Sequence, residues 1–183
     1  MHPVKPSISK NELKPVTIIT LMGVSGCGKT TIGKSLARAL GWEFVEGDTF
    51  HPQVNIEKMA SGVPLTDADR LPWLQSLHAV LRNKHVENTP VVLACSALKV
   101  AYRNILSNGL SNYAFVFLKG NYALILERMR QRNHFMKPSL LQSQFKALQE
   151  PDDALVIPIS IPIDQVVIRI LRFYKLQGHN LPK

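Results

Sequence analysis

A glycine-rich segment near the N-terminus carries the strongest chemical signal in the sequence. Its spacing matches G-x-x-x-x-G-K-[ST], the pattern of a loop that wraps around the phosphates of a nucleotide. The segment consists of Gly23, Val24, Ser25, Gly26, Cys27, Gly28, Lys29 and Thr30. Glycines let backbone N–H groups turn inward, the lysine reaches the β- and γ-phosphates, and the threonine hydroxyl binds Mg²⁺. These residues predict a site for ATP with Mg²⁺, in which Lys29 is catalytic and Thr30 is a metal ligand.

Two carboxylates, Glu46 and Asp48, follow the second apolar run of the chain. At the carboxyl end of a parallel strand, a carboxylate lines the ligand crevice. There it can hold a Mg²⁺-bound water or accept a proton from a hydroxyl nucleophile. Residues two apart on an extended strand point the same way, so we expect the pair to share these tasks. The alternative at either position is a helix cap or a solvated turn acid.

These residues are positioned by strands that alternate with helices. Strands are predicted at residues 16–22, 43–46, 90–95, 113–118 and 154–159, and helices at residues 30–40, 53–60, 98–106, 122–131, 139–148 and 163–176. A further helix is predicted with Asp69 as its cap, Pro72 in its first turn and Trp73 in the core. Continuous β-branched runs are typical of strands buried on both faces, so the pattern predicts an α/β fold with a parallel sheet. Pro158 favours an edge position for the last strand.

The composition fits one globular domain. The chain has 183 residues, of which 45% are hydrophobic and 19% are charged. We interpret residues 1–15 as a flexible leader and residues 16–183 as a single domain. The N-terminus lacks the apolar core of a signal peptide, and no apolar run approaches the roughly 20 residues of a membrane span. We therefore expect a cytoplasmic protein without a membrane partner.

The formal net charge of +9 leaves two interpretations open. A basic surface favours either nucleic acid or a polyphosphate together with an anionic substrate, and it also aids solubility. Lysines and arginines are scattered without a dense basic run, and no aromatic stacking motif accompanies them. A nucleic-acid-binding protein with a phosphate loop remains the alternative to an enzyme, but we expect no nucleic-acid partner.

Over residues 16–160 the chain resembles the gluconate kinase family. The family pattern E-G-D-x-x-H-P-x-x-N-I-x-K-M-x-x-G-x-P-L-x-D-x-D-R-x-P-W-L is supplied in full by residues 46–74, and the resemblance continues in C-S-A-L-K at residues 95–99 and S-Q-F at residues 143–145. It implies a P-loop kinase fold like that of the shikimate and adenylate kinases. That fold has a five-stranded parallel sheet in the order 2-3-1-4-5, helices on both faces and a lid. It also implies transfer of the ATP γ-phosphate to the 6-hydroxyl of D-gluconate, which gives 6-phospho-D-gluconate and ADP.

The resemblance implies roles for individual residues. Asp48 is similar in position to the carboxylate that faces the attacking hydroxyl, and Glu46 to a Mg²⁺ ligand that acts directly or through water. Arg128 and Arg132 correspond to the lid that closes over ATP. Their spacing of four places them on one helix face, where they can hold the transferred phosphoryl group, although each is alternatively an ordinary solvated residue. Because relatives are often dimers, we expect a homodimer.

Further residues are candidate ligands of the sugar acid. The basic candidates for pairing with the gluconate carboxylate are Lys58, Arg70, Lys99 and Arg103. His51 is a candidate for binding the substrate or for acting as an acid or base. Each of them is alternatively a structural or solvated residue. The loop before the last strand is shorter than usual in the family, so no adenine contacts are assigned. A kinase for shikimate or another sugar acid is the nearest alternative function.

Overall fold

The computed structural model describes residues 15–131 and 138–178. Within them, strands run over Ile18–Met22 (β1), Glu43–Glu46 (β2), Val91–Ala94 (β3), Tyr113–Lys119 (β4) and Leu155–Pro158 (β5). Helices run over Lys29–Leu40 (α1), Gln53–Ala60 (α2), Asp67–Val86 (α3), Val100–Ser107 (α4), Tyr122–Gln131 (α5), Pro138–Ala147 (α6) and Ile163–Phe173 (α7). A 3₁₀ helix, Gly47–Phe50, directly follows β2. All five predicted strands are present.

The five strands form one parallel sheet in the order β2-β3-β1-β4-β5. In the central strand β1, Ile18 is level with Val91 of β3 on one side and with Tyr113 of β4 on the other. Every side chain of β1 is buried, because a central parallel strand is covered on both faces. The predicted fold class and strand order are confirmed. β5 is an edge strand and ends at Pro158, as the proline predicts.

Two apolar clusters fill the two faces of the sheet. One packs α1, α5 and α7 onto the strands through side chains such as Leu36, Ile125 and Ile170. The other packs α3 and α4 onto the opposite face through Leu77 and Leu106. Helices thus cover both faces, and the loops at the carboxyl ends of the strands are left to form a ligand crevice.

The start of α3 differs from the prediction. Thr66, and not Asp69, is the N-cap: the Thr66 hydroxyl accepts a hydrogen bond from the Asp69 N–H, and the Asp69 carboxylate accepts one from the Thr66 N–H. This reciprocal capping box starts the helix at Asp67, earlier than predicted. Pro72 therefore lies beyond the first turn, where it removes one intrahelical hydrogen bond.

The last helix ends earlier than predicted. α7 stops at Phe173 and not at residue 176, and Lys175 then adopts a left-handed conformation with φ 53°. The Leu176 N–H donates to the Leu171 carbonyl, which closes the helix end. A lysine in place of the glycine usual at such a stop explains why the sequence pattern did not indicate it.

Some expectations concern residues outside the described ranges. The predicted leader, apart from Pro15, is among them, and so is the part of the predicted lid that contains Arg132. The division into a leader and a single domain therefore stays a prediction. Among the helices of residues 15–131 and 138–178, none has the length and apolar character needed to cross a bilayer.

Candidate active site

The glycine-rich loop lies at the carboxyl end of β1 and leads directly into α1. Gly23 has φ 141°, and a Cβ atom there would lie 2.9 Å from the Leu118 carbonyl oxygen, so neither the conformation nor the space admits a side chain. Gly28 is the N-cap of α1 with φ 99°, which also favours glycine. The loop is thereby wrapped around the N-terminus of a helix, an arrangement that binds anions.

A cavity of about 340 Å³ lies against this loop, and we call it the phosphate cavity. It is lined by Ser25, Gly26, Gly28, Lys29, Thr30, Thr31 and Asp48. Lys29 is buried, and its ammonium group donates to the carbonyl oxygens of Gly23 and Val24 at 3.0 and 3.1 Å. A buried ammonium group, a threonine hydroxyl and a helix N-terminus together suit a polyphosphate.

A second cavity of about 280 Å³ shares part of this wall, and we call it the acceptor cavity. Its apolar wall consists of Ile56, Met59, Leu65, Trp73 and Leu140. Its polar wall consists of Ser25, Lys29, Asp48, His51, Arg70, Ser96 and Gln144. An apolar pocket with a few convergent polar groups is typical of a small-molecule site, and two cations favour an anionic ligand.

Asp48 lines both the phosphate cavity and the acceptor cavity. It lies in the 3₁₀ helix and not on a strand, so the argument that it points the same way as Glu46 along an extended strand is wrong. Glu46 ends β2, and its carbonyl accepts a hydrogen bond from Thr49 Oγ1 at 2.8 Å. Among the described residues that form the walls of these two cavities, Glu46 is not included. Its role toward Mg²⁺ stays a prediction.

His51 lies in the wall of the acceptor cavity, and its contact with a substrate stays a prediction. Burial lowers the pKa of its imidazole; the nearby Asp48 carboxylate raises that pKa, and Arg70 lowers it further. The net direction is downward, so the ring is neutral at neutral pH. A neutral imidazole donates from one nitrogen and accepts at the other, which suits a sugar hydroxyl.

Arg70 is the predicted carboxylate ligand that the structure brings to the acceptor cavity. Its Nη1 donates to the Leu65 carbonyl at 2.5 Å, which holds the guanidinium group at the cavity wall. Arg103 is buried, and its Nη1 donates to the carbonyls of Ala97 and Gln149 at 3.1 and 3.0 Å. Arg103 therefore braces the loop after β3, which is a structural role.

The two candidate lysines form ion pairs with the first turn of α3. Lys58 contacts the Asp69 carboxylate at 2.6 Å and is the main cause that lowers the pKa of that group to about 2. Lys99 contacts Asp67 at 2.7 Å and, with the Tyr102 hydroxyl, keeps the Asp67 pKa below its ordinary value. Both ammonium groups hold the helix start in place, and their contact with a substrate stays a prediction.

A third cavity, of about 410 Å³, shares Gly26 and Gly28 with the phosphate cavity. One part of its wall is apolar and consists of Ile32, Ile159, Ile161, Pro162, Ile163 and Val166. Arg128 also lines it, and the Arg128 Nη2 donates to the Ile159 carbonyl at 2.9 Å. An apolar slot beside a phosphate site suits a nucleobase, so we call it the base cavity. No adenine contacts could be assigned from the sequence; in the structure the apolar residues that follow β5 are candidates for them.

Gln144 of α6 is a contact that the sequence analysis missed. Its Oε1 accepts a hydrogen bond from the Ser25 N–H at 2.7 Å, and its Nε2 donates to Ser25 Oγ at 3.0 Å. One side chain of α6 thus bonds the glycine-rich loop twice while it lines the acceptor cavity. Only the occurrence of S-Q-F in the family pattern hinted at it, because Ser25 and Gln144 are 119 positions apart.

Known proteins are similar to this chain over most of its length. A family model described as Shikimate kinase matches residues 25–154. The chain is 43% identical over 163 residues to the thermoresistant gluconokinase of Escherichia coli (strain K12), which covers 86% of this chain and 93% of that protein. It is 47% identical over 150 residues to the gluconokinase of Gluconobacter oxydans, which covers 81% and 84% respectively. This chain belongs to the gluconokinase family.

Solved structures agree with this membership. A gluconokinase from Sinorhizobium meliloti has a TM-score of 0.78 and 41% identity, and the match covers 88% of this chain and 92% of that one. The APS kinase CysC of Mycobacterium tuberculosis, with a TM-score of 0.67, 16% identity and coverage of 88% and 98%, shares the fold alone. The resemblance to gluconate kinases and the predicted kinase fold are therefore both confirmed.

Proposed function

We propose that this chain is an ATP-dependent gluconokinase, which phosphorylates the 6-hydroxyl of D-gluconate and releases 6-phospho-D-gluconate and ADP. The observation that carries the proposal is the position of Asp48 in the walls of both the phosphate cavity and the acceptor cavity. A carboxylate at that junction reaches a hydroxyl in one cavity beside a phosphate in the other. The curated relatives bear the name of this activity.

ATP is proposed to occupy the phosphate cavity and the base cavity together. The loop N–H groups and the Lys29 ammonium bind the β- and γ-phosphates, while the apolar wall of the base cavity receives the adenine. Arg128 lies in that wall beside the glycine-rich loop. We assign Arg128, together with Arg132, to the charge that spreads over the transferred phosphoryl oxygens.

Mg²⁺ is the metal ion that fits this site. Among residues 15–131 and 138–178, no cluster of three His, Cys, Asp or Glu side chains could cage a metal. In kinases Mg²⁺ binds mainly phosphate oxygens and water, and it takes one or two ligands from the protein. The Thr30 hydroxyl in the phosphate cavity is the proposed direct ligand, and Glu46 the proposed water-mediated one. When bound, the ion neutralises charge on the phosphates.

The chemical step is an in-line displacement. Arg70 pairs with the gluconate carboxylate and His51 bonds its hydroxyls, so the 6-hydroxyl is presented to Asp48. The hydroxyl oxygen bonds the γ-phosphorus while the bond from that phosphorus to the ADP oxygen breaks. The hydroxyl proton passes to the Asp48 carboxylate, which acts as general base. Lys29 stabilises the negative charge on the phosphate oxygens.

The nearest alternative is a kinase for shikimate or another sugar acid, because the matching family model is described as Shikimate kinase. An ADP-release assay with gluconate, idonate, shikimate and glycerate compares these acceptors directly. We expect a kcat/KM for gluconate about 10²-fold or more above that for shikimate, since a site built for one set of hydroxyls rejects another. Preference for shikimate would contradict the proposal. Lys29→Ala, assayed alongside, shows that the turnover belongs to this chain.

The position of the phosphate on the product is a second test. The protons on carbon 6 split the phosphorus NMR signal of a 6-phosphate into a triplet, whereas a phosphate on any secondary hydroxyl gives a doublet. We expect the triplet. A doublet would show that the acceptor cavity binds the sugar acid in a different orientation, and it would overturn the assignment of Arg70 to the carboxylate end.

A further inference from the structure

The indole ring of Trp73 contacts both ends of the segment that carries Asp48. Its Nε1 donates to the Gly47 carbonyl at 2.8 Å. Its ring stacks on the His51 imidazole with the centroids 4.1 Å apart and the planes 17° from parallel. Trp73 is 1% exposed, yet it forms part of the acceptor cavity wall. Trp73 is therefore a core residue, as predicted, that also faces the candidate site.

The opposite side of the same segment is also fixed. A Cβ atom at Gly47 would lie 2.5 Å from the Ala94 carbonyl oxygen, so the Gly47 backbone lies directly against the end of β3. The 3₁₀ helix is therefore held between β3 on one side and Trp73 of α3 on the other. His51 closes this short helix, because its N–H donates to the Asp48 carbonyl at 3.4 Å. Asp48 has little freedom to move between these contacts.

We infer that Trp73 is a positioning residue for the phosphoryl transfer, which sets Asp48 between the two cavities and holds His51 flat against the acceptor cavity. The inference rests on the proposed function, in which Asp48 faces the attacking hydroxyl. It assigns Trp73 two separate contributions: the indole N–H fixes the backbone before Asp48, and the ring face orients His51. A phenylalanine supplies a ring face without the donor, which makes the two contributions separable.

The groups around His51 come from three elements. Asp48 of the 3₁₀ helix favours its charged form, and Arg70 of α3 opposes it. From α2, the amide of the buried Asn55 lies 3.5 Å from His51 Nδ1. The Trp73 ring covers one face of the imidazole and adds to the burial that keeps it neutral. A neutral ring held in one orientation presents one nitrogen as a donor and the other as an acceptor at fixed positions.

The activity test compares Trp73→Phe with Trp42→Phe, since these are the two tryptophans of the chain. Trp42 lies outside the cavities and packs on the α1 side of the sheet, which makes it a matched control. We expect Trp73→Phe to lower kcat by about 10–10²-fold, because a displacement of about 1 Å at reacting groups costs that much. The KM for ATP should stay unchanged, and Trp42→Phe should resemble the wild type. Equal kcat values for both variants would overturn the inference.

A spectroscopic test leaves Trp73 in place. In Trp42→Phe, Trp73 is the one remaining tryptophan, and a protonated imidazole quenches an indole stacked on it. We expect its fluorescence to fall on acidification with a midpoint below about 6.5, the ordinary histidine value. Adding Asp48→Asn should move the midpoint lower, and adding His51→Asn should abolish the transition. The stacking role would be contradicted if Trp42→Phe itself showed no transition, or if the transition survived the addition of His51→Asn.

The two tests separate this inference from the proposed function. A wild-type protein that does not turn over gluconate refutes the function, and with it the role of Trp73 in catalysis. A wild-type protein that turns over gluconate, with Trp73→Phe equally active, refutes the inference alone. All rates are measured well below the unfolding temperature of each variant, so that a loss of stability is not mistaken for a loss of positioning.

Discussion

At the scale of single residues, the basic side chains proposed as substrate ligands differ in the partners that they meet in the folded chain. Arg70 lines the acceptor cavity, whereas Lys58 and Lys99 form ion pairs with the first turn of α3. Sequence spacing could not separate these roles, because all three residues belong to segments that resemble the gluconate kinase family. The difference depends on which acid each side chain meets in the folded chain.

Arg70 is therefore expected to determine the affinity for the acceptor. Arg70→Gln should raise the KM for gluconate by about 10–10²-fold, since a hydrogen bond to a charged group contributes about 1.5–3 kcal/mol. The KM for ATP should not change, because the phosphate cavity is formed by other residues. Arg82→Gln, on the exposed side of the same helix, is the control. A rise in both KM values would indicate a general distortion of the site.

The sequence predicted the residues of the site better than their contacts. The glycine-rich loop could be recognised because its pattern is local: consecutive residues supply the groups expected to bind the β- and γ-phosphates. Asp48 was identified from its place after a strand, although it lies in a 3₁₀ helix that no periodicity indicated. Gln144 and Trp73 were missed as site residues because each acts through a partner distant in sequence, 119 and 26 positions away.

At the scale of elements, the acceptor cavity depends on where α3 begins. The capping box of Thr66 and Asp69 starts the helix, and the residues that follow include Arg70 and Trp73 of the cavity wall. The sequence placed the cap at Asp69 because aspartate is a common cap and Pro72 is common in a first turn. The reciprocal hydrogen bonds between Thr66 and Asp69 instead fix the start of the helix at Asp67. As a result, Pro72 lies deeper in the helix than predicted.

Loss of the cap should destabilise the protein measurably. Thr66→Ala removes the hydroxyl that accepts from the Asp69 N–H, and it should lower the free energy of unfolding in urea by about 1 kcal/mol. Ser76→Ala in the same helix removes a hydroxyl that bonds the Pro72 carbonyl within the helix. That control should be neutral or slightly stabilising, since alanine has the higher helix propensity. Equal losses in the two variants would argue against the cap.

At the scale of the whole molecule, the net charge of +9 suits a pair of anionic substrates. A positive net charge attracts both anionic substrates to the crevice and so favours their binding. The charge therefore has an explanation that does not require a nucleic-acid partner. The parallel sheet with helices on both faces could be predicted because the alternation of strands and helices follows from hydrophobic periodicity, whereas the strand order was implied only by the resemblance to gluconate kinases. Hydrophobic periodicity cannot predict the homodimer, because the residues of a dimer interface follow no regular spacing in the sequence. It stays a prediction that a measurement of molecular mass in solution can check.

Acid should destabilise the fold in two stages. His51, Asp67 and Asp69 all have lowered pKa values in the folded chain, mainly through burial, Lys99 and Lys58 respectively. The unfolded chain then binds more protons than the folded chain, so stability falls as the pH falls. The first stage begins near pH 6.5 for His51, and the second below about 3.9 for the aspartates. The free energy of unfolding in urea, measured at a series of pH values, should fall in both stages. His51→Asn should remove only the stage that begins near pH 6.5.

The kinetic and binding constants of Asp48→Asn test the central claim most directly. The substitution keeps the shape of the side chain but removes its charge and basicity. Turnover of gluconate should fall by about 10²–10⁴-fold, the usual contribution of a positioned general base. The affinity for ATP should change little, because Lys29 and the glycine-rich loop are the proposed ligands of the phosphates. Near-normal turnover at saturating MgATP and gluconate, or a loss of ATP affinity as large as the loss of turnover, would contradict the account.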